Sequence, residues 1–383
     1  MTQRFRILVV CSYGFVLLGM GTSSFGVVWP SLADEFGRST GELGYVTLAY
    51  GAGYTAASLL SGRMAARLGI GPLLMWAALT AAGALTVLAA APAWILFLLA
   101  TLILGAVGGQ IDAATNTYVA VRHGSRAMGF LHGAFGVGAF LGPLLVTSLL
   151  YLGLTWRIAF AVLAVGQAAY ATGLRALARS LEVSTDPEPA RTAPGRSQTL
   201  GWSVALFFLY AGVASGLGTW TFTYLTEARG FSDTAGGLIV TAYSIGFTAS
   251  RLLMGAAGNR VDPARLSRWA AIATVVGVGG FWWSPTVGMG VVALVFAGFA
   301  HGPIFPLQML LTAHRFGPSL AATVVGYEIA AANVGFAIVP GLVGLFVDRY
   351  GLATVPPVLL AVALLVWVAL ERLDSSVSPA VAS

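Results

Sequence analysis

The chain has no lysine, a single cysteine, four histidines and little charge of either sign: only 9% of its 383 residues are Asp, Glu, Lys or Arg. A soluble domain carries about 25% charged residues, so a water-facing globule is excluded. Cys11 by itself cannot close an intramolecular disulfide, and no Cys/His spacing outlines a metal framework. No phosphate-cradling glycine loop, zinc-ligand cluster or nucleophile triad can be assembled, so the chain is not expected to be an enzyme and no cofactor or metal is implied. The net charge of +6 comes from arginine alone, and in so apolar a chain it does not describe a nucleic-acid-binding surface.

What remains is apolar. Hydrophobic residues make up 57% of the chain, and 49 glycines suit closely packed membrane helices. About twenty apolar residues span a bilayer as a helix. On that rule twelve spans are predicted, over 7–30, 42–64, 71–90, 94–121, 127–151, 157–178, 201–226, 233–257, 265–283, 286–312, 319–346 and 353–371. The first run continues to about Pro30, too long for a signal peptide, and is read as a retained helix. The only long polar stretch, rich in proline and mixed charge, separates six helices from six. The expected organisation is therefore an N-terminal bundle over 1–178, a linker over 179–199 and a C-terminal bundle over 200–383.

Arginine placement orients the chain, because short cytoplasmic loops carry the positive charge. Sixteen arginines fall at the even-numbered turns, the linker and the termini; the opposite side holds only Arg38, Arg157, Arg229 and Arg349. Both termini and the linker are expected in the cytoplasm, and the arginine-only basic set suggests a bacterial inner membrane. The two halves also echo each other. One constant shift carries Gly105, Gly109 and Arg122 onto Gly298, Gly302 and Arg315, and a second carries Gly129, Gly138 and Pro143 onto Gly326, Gly335 and Pro340. Duplicated six-helix halves imply two pseudo-symmetric bundles, an architecture in which transporters place their sites near the bilayer midplane.

These features resemble the major facilitator superfamily over essentially the whole chain. Its cytoplasmic signature, G-x-x-x-D-R-x-G-R/K, is matched by Gly62, Arg67 and Gly69, with Arg260 at the related turn of the second half. The resemblance makes these four residues gating elements, although the aspartate of the signature is replaced by Ala66 and by Asn259. Within the superfamily the chain is most similar to the fucose permease-like branch of sugar–proton symporters. Asp112 and Asn116, the run Leu131–Gly138, Gly302-Pro303-Ile304-Phe305-Pro306, and Tyr210 and Gly212 with Trp220 and Tyr224 carry that similarity. Thr22, Ser23 and Ser24 stand where the branch often has an acid, and Ala214 where it often has a glutamate.

Asp112 is the leading candidate for chemistry. Taking a carboxylate out of water penalises its charge, so an ionisable group deep in a span marks a pathway or binding site; the bland alternative is an acid that merely ties two helices. Gln110 and Asn116 flank it and offer amide donors and acceptors suited to hydroxyls. Glu328 and His132 are the other proton-coupling candidates, against structural bonds, for Glu328 to an arginine such as Arg251 or Arg315. His301, Phe305 and Gln308 share a helix face by spacing, Trp220 and Tyr224 share another, and Asn333 follows Glu328; these are solute-binding candidates against core packing or an interfacial belt. Tyr50 and Tyr54 are read as core packing. The expected function is a monomeric secondary transporter that moves a small organic solute, a sugar or polyol foremost, by alternating access with a proton. The alternatives are a proton-coupled drug or metabolite exporter of the same fold and an uncoupled facilitator.

Overall fold

The computed structural model of the protein describes residues 3–39, 42–177, 181, 196–260 and 262–377. Most of the stretch expected to be a linker lies outside these residues. Among them the regular structure is helical throughout: α1 (Gln3–Phe36), α2 (Leu43–Leu68), α3 (Ile70–Ala90), α4 (Trp94–Arg122), α5 (Ser125–Tyr151), α6 (Trp156–Leu177), α7 (Arg196–Thr223), α8 (Asp233–Ala257), α9 (Pro263–Trp282), α10 (Val287–His301), α11 (Ile304–Phe316), α12 (Pro318–Tyr350) and α13 (Val355–Ser376). Among the described residues ten helical segments are long and apolar enough to cross a membrane, with α10 and α11 forming one of them. The other two of the twelve spans are α2 and α9, whose hydropathy is diluted by Arg63, Arg67 and several hydroxyl side chains in α2, and by Arg265 and Arg268 in α9.

Local chemistry sets the boundaries. The Asp262 carboxylate accepts from the amides of Ala264 and Arg265 at 2.9 and 3.3 Å, and Pro263 follows at the first helical position, so α9 starts there. Gly69, with φ +78°, lets the chain leave α2 and enter α3 without a loop. The tenth predicted span is divided at Gly302–Pro303, where proline removes one backbone N–H from the ladder. Beyond Thr223 the last turn of the seventh span widens into a π-type turn, Tyr224–Ala228.

Two compact units result. The first comprises Met1–His123, Phe130–Asp186 and Pro318–Ala330; the second comprises Gly124–Gly129, Pro187–Gly317 and Ala331–Ser383. Each unit thus includes the first turns of a helix whose remainder belongs to the other unit.

Glycine governs how closely helices approach inside each unit. In the first, a Cβ at Gly53 would strike the Leu102 carbonyl, at Gly105 that of Tyr50, and at Gly109 that of Tyr54. In the second, Gly246, Gly298 and Gly302 stand in the same relation to Val295, Tyr243 and Phe247. The α2–α4 and α8–α10 crossings are therefore copies, matched residue for residue by one shift. A like pair joins Gly326 of α12 to the backbone of Ser58 and Gly129 of α5 to the backbone of Arg251 and Gly255. In lipid, where apolar burial gives no drive between helices, backbone contact of this kind supplies the packing.

Candidate functional site

The α2–α4 crossing in the first unit presents a buried polar chain. Asp112, 8% exposed, receives two hydrogen bonds from different elements. Tyr54 of α2 donates its hydroxyl to Oδ2 at 2.5 Å, and Asn116, one turn along α4, donates Nδ2 to Oδ1 at 2.7 Å. The Asn116 oxygen in turn meets Nε2 of His132 on α5 at 3.0 Å. An amide oxygen only accepts, so this His132 nitrogen carries the proton. The His132 ring is held edge-on to Phe15, with centroids 5.5 Å apart. Three helices thus converge on one carboxylate through an unbroken line of hydrogen bonds.

Magnitudes favour a site that tolerates charge. A charged side chain at the centre of a membrane helix costs about 2.5–3.5 kcal/mol on insertion scales. A hydrogen bond to a charged group contributes about 1.5–3 kcal/mol, so the bonds from Tyr54 and Asn116 together offset that cost. The two oxygens are not equivalent. Oδ1 faces an amide nitrogen, which is a donor in every state, whereas Oδ2 faces a hydroxyl, which donates to a carboxylate and accepts from a carboxylic acid. A proton arriving at Asp112 is therefore accommodated on Oδ2 by a rotation of the Tyr54 hydroxyl, with no helix movement required.

The remaining sequence-derived candidates lie as follows. Gln110 is buried but turns away from this line, donating Nε2 to the Ala57 carbonyl at 2.5 Å and approaching Met64 Sδ at 3.3 Å; two residues along a helix are about 200° apart. Glu328 is fully buried on the part of α12 that belongs to the first unit, and half-buried Asn333 lies on the part that belongs to the second. His301 is buried and stacks on Tyr210 at 4.1 Å, and Phe305 completes an aromatic group with Tyr210 and Phe207 at 5.6 and 4.9 Å. Gln308 is buried, its Oε1 accepting from Arg315 at 2.7 Å while Arg315 also pairs with Asp374 at 2.8 Å. Trp220 and Tyr224 do not form one wall. Trp220 donates to the Pro340 carbonyl at 2.9 Å, whereas Tyr224 packs edge-on to Phe281 of α9 and meets Arg229 at the start of the π-type turn.

Of the gating candidates, Gly62 packs directly on Thr323, where any side chain would collide, and Gly69 makes the turn just described. Arg67 and Arg260 are exposed, and neither has a carboxylate partner among the described residues. No group of three or more metal-ligating side chains occurs among those residues. Sequence reading missed Tyr54, which it assigned to packing. The available signal was the glycine pair 105/109, which brings the Tyr54 turn of α2 against α4.

The Arg315–Asp374 pair ties α11 to α13, with the arginine side chain 6% exposed and the aspartate 22%. Asp374→Ala removes one charged partner from a buried guanidinium and is expected to lower stability by about 1.5–3 kcal/mol, read as a fall in melting temperature of the purified protein.

Comparison with known proteins places this geometry in context. The sequence profile of the Major Facilitator Superfamily matches residues 11–327 and 203–382. The cyanate transport protein CynX of Escherichia coli is 31% identical over 256 residues, 64% of this chain and 64% of that protein. Among solved structures, the human organic anion transporter MFSD10 (TETRAN) superposes with a TM-score of 0.79 at 18% identity, covering 97% of this chain and 100% of its own. The Escherichia coli fucose:proton symporter FucP superposes with a TM-score of 0.71 at 14% identity, covering 95% and 97%.

Proposed function

We propose that this chain, which belongs to the Major Facilitator Superfamily, is a proton-coupled secondary transporter of a small hydroxylated organic solute. The observation that carries the reading is the carboxyl of Asp112, held between a hydroxyl that accommodates its proton and an amide that orients it. Asp112 takes the proton on Oδ2, Tyr54 reverses its hydroxyl, and Asn116 passes the change in polarity to His132. Glu328 is the second buried acid and the reserve candidate for coupling. The solute is contacted by the aromatic and polar residues of the second half, with His301 and Phe305 foremost, and alternating access moves it across the bilayer. The fucose symporter among the similar structures agrees with a sugar or polyol, and the cyanate and organic-anion carriers agree with a small polar solute more broadly.

In this reading the protein works as a monomer in a bacterial inner membrane, and its arginine distribution supports both termini in the cytoplasm. Its halves, 1–178 and 200–383, act as the two moving bundles, joined by the linker 179–199. Proteoliposomes loaded with a pH-reporting dye and challenged with L-fucose, D-xylose, sorbitol and D-gluconate test the reading. Solute-dependent proton movement, abolished by a protonophore together with uphill uptake, is the expected result. Uptake that ignores both pH and protonophore assigns the chain to the uncoupled facilitators instead.

A further inference from the structure

The second unit repeats the first unit's crossing but inverts its charge. The shift that superposes the glycines carries Tyr50 onto Tyr243, Tyr54 onto Phe247, Ser58 onto Arg251 and Asp112 onto Phe305. Where the first unit buries a carboxylate, the second buries a guanidinium: Arg251 is 5% exposed. Its Nε donates to the Gly302 carbonyl at 2.9 Å, Nη2 donates to the Tyr210 hydroxyl at 3.2 Å, and the Phe247 ring lies 4.1 Å from its Cζ. No carboxylate partners it among the described residues, although Arg157, Arg268 and Arg315 each have one. A buried cation without a counter-ion is strongly destabilising, and two neighbouring groups share its predicament. The Tyr243 hydroxyl and His301 Nδ1 are buried with no hydrogen-bond partner. Both rings neighbour that of Phe247, the ring beneath Arg251, with centroids 5.8 Å away for Tyr243 and 6.0 Å for His301.

The protonation pattern narrows what is missing. His301 Nε2 lies 3.1 Å from the Tyr210 carbonyl, which only accepts, so that nitrogen bears the proton and Nδ1 of the neutral ring presents a lone pair. The cluster therefore offers a cationic donor with unused N–H groups, a phenolic hydroxyl, and an acceptor that needs an O–H or N–H. A carboxylate satisfies the first two, and a hydroxyl on the same molecule satisfies the third. A neutral polyol leaves the guanidinium unpaired, and a simple fatty acid leaves the imidazole unpaired.

Building on the transporter reading, we infer that Arg251, Tyr243 and His301 form a recognition site for the carboxylate and a hydroxyl of a hydroxy acid, which makes the solute a sugar acid or related hydroxylated anion. Guanidinium supplies the bidentate geometry that a carboxylate takes best. The site is complete within one unit, built by α7, α8 and α10 around the crossing at Gly298 and Gly302.

The test is binding to the purified full-length protein by calorimetry and thermal shift, using D-gluconate, sorbitol and pentanoate as probes. D-Gluconate is expected to bind and stabilise, with sorbitol and pentanoate each at least ~10-fold weaker, the loss that accompanies one missing charge-assisted hydrogen bond. Tyr243→Phe removes a single oxygen and is expected to weaken gluconate about 10-fold while leaving the unliganded melting temperature unchanged or higher. Arg251→Gln is expected to erase the preference for gluconate over sorbitol; should that variant fail to fold, Tyr243→Phe decides. Equal binding of gluconate and sorbitol, or unchanged gluconate affinity in Tyr243→Phe, overturns the inference. Gluconate binding without proton-linked movement refutes the transport reading and keeps the site, whereas proton-linked sorbitol movement with no gluconate binding does the reverse.

Discussion

Asp112→Asn is expected to fold and to exchange solute across the membrane, yet to accumulate none when a proton gradient is imposed. The geometry gives the reason. In the native protein Oδ1 accepts from Asn116 and Oδ2 from Tyr54. An asparagine keeps its oxygen toward Asn116 and places its NH2 against the Tyr54 hydroxyl, which then accepts. It therefore reproduces the hydrogen-bond pattern of the protonated acid, so the α2–α4 contact survives while the titrating group is gone. Uphill uptake should fall by roughly 10²-fold or more, the scale on which a positioned acid–base group acts, while counterflow between equal pools persists. Tyr54→Phe should slow uptake without abolishing accumulation, since it removes one support of the carboxylate and leaves the acid in place. Undiminished proton-driven accumulation in Asp112→Asn would falsify the role assigned to this residue and pass it to Glu328.

How much of this was legible in the sequence follows from which interactions are local. The spans were, because lipid imposes a run of about twenty apolar residues; even α2 and α9, the two most diluted by polar side chains, keep runs of about that length. The crossings were half legible. Glycines 105 and 109 and their counterparts 298 and 302 stood out by their constant shift, but only the structure shows that each sits on a particular carbonyl of α2 or α8. Partners across helices were not legible. The Asp112–Asn116 bond follows from a four-residue spacing, whereas Tyr54 reaches Asp112 from another helix 58 residues away. Gln110 turns to Ala57 instead of joining the Asp112 line, since nearness in sequence is not a shared face. The same limit hid the Arg251 cluster, in which α7, α8 and α10 contribute one polar group or more each. Trp220 and Tyr224 meet different helices, α12 and α9, and a four-residue spacing names no partner across helices.

Gly105→Leu should prevent the protein from assembling, and the identical change at Gly83 should not. A side chain at Gly105 would run into the backbone of Tyr50, which cannot swing aside as a flexible side chain would, whereas Gly83 has nothing within 4 Å. Overpacking a core by a methylene or so costs about 1–3 kcal/mol, and a whole isobutyl group at a backbone contact exceeds what the crossing can absorb. Detergent extracts monitored by size-exclusion fluorescence should show a monodisperse peak for Gly83→Leu and aggregate for Gly105→Leu. Because the second unit repeats the contact, Gly298→Leu, which meets the Tyr243 carbonyl, should fail in the same way. The smaller change Gly109→Ala separates packing from function. Its Cβ would press on the Tyr54 carbonyl and the Ser58 hydroxyl, moving the very turn of α2 that delivers Tyr54 to Asp112. That variant should remain monodisperse with a lowered melting temperature and lose proton-driven uptake out of proportion to its loss of stability. Parallel losses of stability and uptake would instead mean that the crossing is only a scaffold and that the Tyr54 bond is incidental to coupling.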